Sequence, residues 1–367
     1  MLTEKTIKFN YTLSPFSLLY RMGVAFRNQL FNWGLLSSES YSIPVICVGN
    51  LAAGGTGKTP HIEYLVRLLT PKYKIAVLSR GYKRKTSGYV LAKPESTSRE
   101  LGDESFQIKR KFPHILVAVD SNRRRGIKNL LALPEDTRPD VILLDDAFQH
   151  RYVIPSLSIL LTDYNRLYYR DKLLPVGRLR EPSSAIRRAD MVIVTKCDED
   201  LKPIDFRIIE NEMNLLAHQD LFFTHVTYGE IEPVFPEAPS HVLRDIRKED
   251  DVLVLSGIAA PEHFINEAKK YSDKVVSMSF PDHHSFSRKD IGRIKSIYNK
   301  MASPEKIILV TEKDAARIIN NPFIPIDWKP KIYMLPIKVE FSAKGNTLFD
   351  EIIERHIITM QRNSILR

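Results

Sequence analysis

The sequence predicts an α/β protein: a P-loop NTPase-type parallel sheet with helices on both faces, followed by a second, smaller α/β domain. Short apolar runs recur at 43–48, 75–78, 115–119, 141–144, 157–161 and 191–194, mostly separated by stretches long enough for a helix. That is the rhythm of strands buried on both faces and joined by helical crossovers. A second series at 252–255, 275–280 and 307–310 alternates with charged, helix-like segments at 261–270 and 287–301. Between the two series lies VTYGEIEPVFPEAPS, 226–240, whose three prolines and weak helical pattern suit a connection. The expected division is therefore 1–225 for the N-terminal helix and P-loop domain, 226–240 for a linker, and 241–367 for a smaller domain that closes over the site.

The chain has 367 residues, 43% hydrophobic and 27% charged, a balance that suits a folded protein and excludes a disordered or fibrous one. At that length two cores are a better expectation than one. A net charge of +10 predicts an anionic partner, whether nucleic acid, acidic membrane surface or phosphorylated substrate. Two cysteines, Cys47 and Cys197, each beside an apolar run, argue against a disulfide framework. No secretory leader is expected, because the first residues are polar.

The segment 16–36 has the length of a membrane span and begins behind Ser14-Pro15, a helix start. Its nine Phe, Leu and Val residues favour insertion by roughly 0.5 kcal/mol each, but Arg21 and Arg27 cost about 3 each near the centre. Leu18, Leu19, Met22, Phe26, Leu30 and Trp33 recur at helical spacing, so the alternatives are a helix lying in the membrane interface and one packed on its own domain.

The strongest chemical signal is IPVICVGNLAAGGTGKTPHIEYLVRLL: a buried-type strand, a glycine-rich loop and an amphipathic helix. Ala52, Ala53, Gly54, Gly55, Thr56, Gly57, Lys58 and Thr59 form the candidate nucleotide loop. Its glycines let backbone N–H groups face phosphates, Lys58 reaches the outer phosphates, and Thr59 can ligate magnesium. Downstream, VILLDDAFQHR sets Asp145 and Asp146 at a strand end, where P-loop proteins keep a magnesium-holding carboxylate. Capping of the next helix is the alternative role of that pair. LPVGRLREP carries Arg178, Arg180 and Glu181, and SRGYKRK carries Arg80 and Arg84; both loops could contact anions or simply be solvated. His283 and His284 in FPDHHSF lack the partners of a zinc site, and VTEKDAAR places Glu312, Lys313 and Asp314 just past a strand.

Taken in order, VGNLAAGGTGKTP, SRGYKRK, LGDES, LDDAFQHR, LPVGRLREP, FPDHHSF and VTEKDA resemble the lipid A 4'-kinases over most of the chain. The resemblance implies a two-unit α/β kinase at the cytoplasmic face of the inner membrane. It implies transfer of the γ-phosphate of ATP, with Mg2+, to the 4'-hydroxyl of a tetraacylated glucosamine disaccharide 1-phosphate. It assigns Lys58 to the phosphates, Thr59, Asp145, Asp146 and Glu181 to the magnesium shell, and Asp103 with His283, rather than His284, to a catalytic pair. Arg80, Gln149, His150, Arg178 and Arg180 become candidate phosphate or substrate contacts. Three departures, Ser105 after Gly-Asp-Glu, Lys83 in the RGYKR element and Ala147 after the Asp pair, bear on loop geometry more than on the chemistry.

An acyl-chain substrate brings the enzyme to the bilayer, which favours the interfacial role for the 16–36 helix and gives the positive charge a partner in anionic lipid. No nucleic-acid partner is expected, since no aromatic-interleaved basic patch accompanies the charge, and no obligatory protein partner is inferred. The competing reading is a P-loop GTPase switch resting on the phosphate loop, Asp145 and VTKCD, with Lys196 and Asp198 as its base-reading pair. Nucleotide preference separates the two.

Overall fold

In the computed structural model, residues 7, 9–238, 248–258, 261–282, 284–342 and 345–365 are described. The apolar runs become strands because most of their residues find a buried face, the exception being the edge strand at 274–279, which is largely exposed. After helix α1 (Ser14–Asn32), the chain alternates β1 (Val45–Asn50), α2 (Lys58–Leu69), β2 (Ile75–Ser79), β3 (Val90–Leu91), α3 (Ser98–Leu101), α4 (Asp103–Lys111), β4 (Leu116–Val119) and α5 (Arg123–Leu131). It continues through β5 (Val141–Asp145), β6 (Leu157–Asp163), β7 (Met191–Thr195), α6 (Pro203–Met213) and β8 (Asp220–Tyr228).

Successive residues of β1 point to opposite sides of the sheet. Val45 and Cys47 join Ile127, Leu130, Ile209 and Met213 of α5 and α6. Ile46 and Val48 join Ile62, Leu65, Val66 and Leu69 of α2 and Ile108 of α4. The result is the expected three-layer arrangement.

A second unit contains β9 (Glu232–Pro233), β10 (Asp251–Ser256), α7 (Glu262–Tyr271), β11 (Lys274–Ser279), α8 (Arg288–Lys300), β12 (Lys306–Thr311), α9 (Glu312–Ile318) and β13 (Ile332–Leu335). Its five-stranded sheet, β11-β10-β12-β13-β9, is parallel except for β9. Its core packs Ile291, Ile294 and Ile318 on one face and Phe264 and Ala268 on the other.

The division of the chain differs from the one expected at 226–240. Residues 226–228 still belong to β8, and Glu232-Pro233 already pair with β13. The C-terminal end then returns to the first unit. Here β14 (Ile337–Phe341) pairs antiparallel with β8, and α10 (Gly345–Ile365) buries Phe349, Ile353 and Ile357 in the core beside α2. Residues 337–365 are therefore part of the first sheet's structure, not of the smaller unit. The physical reason is that β8 would otherwise end the sheet with unpaired backbone groups, and α10 covers its apolar face.

The completed sheet runs β14-β8-β7-β6-β1-β5-β2-β4-β3 among the described residues, parallel except at its two edges. The outgoing and returning chains are themselves bonded, Gly229 N–H to the Pro336 carbonyl at 2.8 Å. No described helix is long and apolar enough to cross a membrane. Both cysteines are free and buried.

Candidate active site

The C-terminal ends of β1, β5, β2, β6 and β7 lie side by side, and the loops that leave them supply the candidate residues. The glycine-rich loop follows β1. Gly57 adopts the left-handed conformation (φ 84°) and caps α2, so Lys58 and Thr59 occupy the first turn, where helix N–H groups lack intrahelical partners.

Asn50, fully buried at the strand end, donates its Nδ2 to Thr56 Oγ1 at 2.7 Å, and Thr195 Oγ1 donates to the Thr56 carbonyl at 2.9 Å. His61 of α2 is buried, which pushes its pKa down to about 4 and leaves the imidazole neutral. Its Nδ1 lies 2.7 Å from the Gly57 carbonyl, an acceptor only, so Nδ1 carries the proton and Nε2 accepts from Thr224 Oγ1 at 3.2 Å. The loop is thus held from below by a set of residues that sequence reasoning missed.

The RLRE segment runs alongside it as a short antiparallel partner. Ala52 bridges Leu179, the Ala53 N–H donates to the Arg178 carbonyl at 2.7 Å, and the Arg180 N–H donates to the Leu51 carbonyl at 2.7 Å. The Ala53 N–H is therefore already engaged and is not among the donors facing a phosphate. The Arg178 guanidinium overhangs Gly54, with Nη1 3.8 Å from where a Cβ would sit. Arg180 Nη2 donates to Asp146 Oδ1 at 2.8 Å and Nη1 to Asp146 Oδ2 at 3.2 Å, a bidentate pair. Arg180 also donates to Asn50 Oδ1.

Lys58 Nζ lies 3.6 Å from Asp146 Oδ1. Burial pushes the Asp146 carboxyl up, but Lys58 and Arg180 outweigh it and hold the pKa at about 2. Asp145 behaves oppositely: burial, then Glu104 and Asp146, raise it to about 7. The two neighbouring acids are thereby distinguished, Asp146 ionised and tied to cations, Asp145 buried beneath them.

Among the described residues, Asp145 Oδ1 and Glu181 Oε1 are buried without a hydrogen-bond partner. Glu181 Oε2 accepts from Arg188, whose guanidinium lies over Phe148 at 4.5 Å. Among the described residues no three carboxylate, imidazole or thiolate groups converge as a ready-made cage. Hard carboxylate oxygens left unsatisfied beside a phosphate loop fit magnesium, which takes one or two protein oxygens and fills its octahedron with phosphate and water.

Asp103 and Glu104 open α4, after Gly102 in a positive-φ conformation (φ 84°), and Glu104 is close enough to raise Asp145. His283 lies outside the described residues. His284 is stacked on Phe280 at 4.8 Å and bonded through Nε2 to Asp290 Oδ2 at 3.0 Å, beside the N-cap of α8.

Gln149 donates to the Asn50 carbonyl at 2.7 Å. His150 is pushed down to about 4 by burial and then by Arg123, Arg27, Arg124 and Arg80, and among the described residues its buried Nε2 has no partner. Lys196, of the VTKCD motif, donates its Nζ to the Gly55 carbonyl and pairs with Asp163 at 2.7 Å, while Asp198 is exposed.

Helix α1 packs against these loops. Tyr20 donates its hydroxyl to the Arg180 carbonyl at 2.9 Å, Arg27 donates to the Gln149 carbonyl at 3.0 Å, and Arg151 donates to the Asn28 carbonyl at 3.0 Å. Its other side exposes Phe16, Leu18, Leu19, Met22 and Phe26 by 58–65% each. One side of the helix is thus packed on its own domain, as one of the two alternatives expects, and the other side is apolar and exposed.

A phosphate loop at the carboxyl edge of a parallel sheet, with a lysine, paired acids and arginines around it, defines the class as a P-loop nucleoside-triphosphate-binding protein. The particular family follows from comparison with known proteins. The family model for tetraacyldisaccharide-1-P 4'-kinase (LpxK) matches residues 9–357. The chain is 57% identical to the tetraacyldisaccharide 4'-kinase of Parabacteroides distasonis over 99% of both chains. It is 49% identical to that of Bacteroides thetaiotaomicron over 98% of this chain and 97% of the relative. It also superposes on the crystal structure of LpxK from Aquifex aeolicus in complex with ATP, with a TM-score of 0.72 and 30% identity over 94% of this chain and 98% of that one. The chain belongs to the tetraacyldisaccharide-1-P 4'-kinase family.

Proposed function

We propose that this chain transfers the γ-phosphate of ATP to the 4'-hydroxyl of a tetraacylated glucosamine disaccharide 1-phosphate. The observation that carries this reading is the Lys58–Asp146–Arg180 chain of charges laid against a complete phosphate loop in a member of this family.

In the proposed mechanism, loop N–H groups and the first turn of α2 hold the phosphates, and Lys58 and Arg178 meet charge that builds on the transferred group. Thr59, Asp145, Asp146 and Glu181 would hold Mg2+, which would supply neutralisation of phosphate charge. Lys58 leaves Asp146 for the γ-phosphate when nucleotide arrives, while Arg180 keeps Asp146 oriented. Asp103, with His283, orients and deprotonates the acceptor hydroxyl; a carboxylate beside an imidazole fixes its tautomer and strengthens it as a base. The smaller unit closes over the bound substrates.

The acceptor approaches along α1. Its acyl chains resist leaving a bilayer at about 0.8 kcal/mol per CH₂, and the bare apolar side of α1 supports a seat in the cytoplasmic leaflet of the inner membrane. Arg27, which reaches from that helix's covered side to the Gln149 carbonyl, is one of four arginines that act on His150, and such a group suits an acceptor carrying a phosphate.

The test is incubation of purified protein with ATP, magnesium and the disaccharide lipid in detergent. A lipid product heavier by one phosphate is expected. ATP consumption with unchanged lipid contradicts the reading.

A further inference from the structure

We propose that Arg317 is a positioning residue for phosphoryl transfer: from the smaller unit it fixes the carboxylate of Asp103 at the mouth of the nucleotide site. The proposal rests on reading Asp103 as part of the acceptor-activating pair. It also gives a purpose to the TEKDAAR segment, whose charged residues have no other place in the chemistry.

The geometry is that of a guanidinium held on two sides. Arg317 Nε donates to Asp103 Oδ2 at 3.1 Å, across the boundary between the two units. Its Nη1 donates to Asp314 Oδ1 at 2.8 Å and to the Gly257 carbonyl at 3.3 Å. Asp314 is fully buried, and its Oδ2 accepts from the Gly257 N–H at 2.8 Å and from Thr311 Oγ1 at 2.7 Å. The Arg317 side chain, only 6% exposed, is therefore clamped on its own unit before it reaches Asp103. A planar, permanently charged fork serves this purpose, because one edge can be anchored while another is offered to a second carboxylate.

Neighbouring contacts set the register. Lys313 pairs with Glu104 at 3.5 Å, and Lys111 bridges Glu312 at 2.5 Å and Glu63 at 2.6 Å. Residues 103, 104 and 111 of α4 thus meet 317, 313 and 312 of α9, so the two helices run past each other in opposite directions with Arg317 at the site end. Glu63 sits on α2, the helix that begins at the phosphate loop. Asp103 itself is fixed in backbone: a Cβ on Gly102 would come within 2.6 Å of the Tyr82 carbonyl oxygen, so the turn into α4 has one shape. Its side chain, 28% exposed at a helix start, has other donors to turn to, and Arg317 selects one orientation. Asp103 is then aimed only while the smaller unit is docked, which ties acceptor activation to the arrangement of the two units.

The experiment measures kcat and KM for ATP and lipid with the full chain in detergent, together with thermal midpoints. The variants are Arg317→Ala, Arg317→Lys, Asp103→Ala and the double Asp103→Ala/Arg317→Ala. General-base assistance is worth about 10²–10⁴ in rate, so losing its orientation should lower kcat roughly 10–100-fold in Arg317→Ala, with KM for ATP within about twofold. Arg317→Lys recovers part of that loss. In the Asp103→Ala background, removing Arg317 costs kcat nothing further.

Wild-type kcat in Asp103→Ala overturns the reading of Asp103 and this proposal with it. A strongly impaired Asp103→Ala beside a fully active Arg317→Ala overturns the positioning role alone. Losses that multiply in the double variant, or a change confined to KM for ATP, overturn it as well. Should Arg317→Ala not fold, Arg317→Lys carries the same test, since an ammonium cannot bridge Asp103 and Asp314 in one plane; unchanged kcat there overturns the proposal.

Discussion

Replacing Gly49 by alanine tests how tightly the acid-bearing loop is seated on the phosphate-loop strand. A Cβ at Gly49 would lie 2.6 Å from Phe148 Cβ and 3.0 Å from its backbone nitrogen. Carbon atoms at ease sit about 3.5–4.0 Å apart, so the loop must rise by about 1 Å. It cannot do so freely. Phe148 is buried, Arg188 covers its ring, and the Asp146 N–H is bonded to the Val48 carbonyl at 3.0 Å.

Overpacking of this kind costs about 1–3 kcal/mol, or roughly 2–12 °C in thermal midpoint at 2–4 °C per kcal/mol. Displacing Asp146 by about 1 Å should lower kcat on the order of 10²-fold. Gly292→Ala is the control. It lies in the middle of α8 with nothing among the described residues within 4 Å of a new Cβ, and it should gain about 0.5–1 kcal/mol with kcat unchanged. The readouts are differential scanning calorimetry and kcat at saturating ATP and lipid. Wild-type midpoint and turnover in Gly49→Ala would refute the claim that Gly49 is required by the close approach of Phe148.

Three further outcomes are expected. Lys58→Ala and Thr59→Ala should each lose at least about 10²-fold in kcat while keeping the wild-type circular dichroism spectrum, because in the proposed mechanism they remove charge and metal contact and not core; near-normal turnover in either contradicts the assignment of the loop. Leu19→Glu with Met22→Glu, both on the bare side of α1, should abolish co-sedimentation with anionic vesicles and leave the thermal midpoint unchanged; undiminished co-sedimentation removes α1 as the membrane contact. Burial, then repulsion from Glu312, raises Glu63 from 4.5 to about 7. A carboxyl raised in the folded state contributes stability that is complete below its unfolded pKa and lost as pH rises through the folded one. Glu63→Gln should therefore lose less thermal midpoint than the wild type between about pH 5 and pH 8, and parallel profiles would contradict that assignment.

The parts of this fold that were legible in the sequence are those where local pattern and global position agree. Runs such as Val141–Leu144 are apolar throughout because their strands are buried on both faces, and that pattern survives without knowledge of neighbours. β14 was not legible: Ile337, Val339 and Phe341 alternate with Lys338 and Glu340 as an edge strand should, but nothing local says that its partner is β8, more than a hundred residues earlier. The same distance hid α10, whose apolar residues complete the first core.

In the site, the GKT loop and the Asp pair announce themselves because each motif is a run of consecutive residues. Asn50, His61, Glu104 and Arg317 do not, since each acts on a partner supplied by another element and is an ordinary polar residue in its own segment. His61 illustrates the difficulty: only the fold shows that its ring lies between the Gly57 carbonyl and Thr224.

The central claim, that the phosphate moves from the γ-position of ATP to the 4'-hydroxyl, is tested most directly by where a label ends up. The disaccharide lipid is incubated with the protein, magnesium and ATP labelled in its γ-phosphate, and the product is then treated with mild acid, which removes the anomeric 1-phosphate. The account predicts label that remains on the disaccharide after this treatment and is absent when Lys58→Ala replaces the wild-type protein. Label released by the acid, or found only as inorganic phosphate, would contradict it.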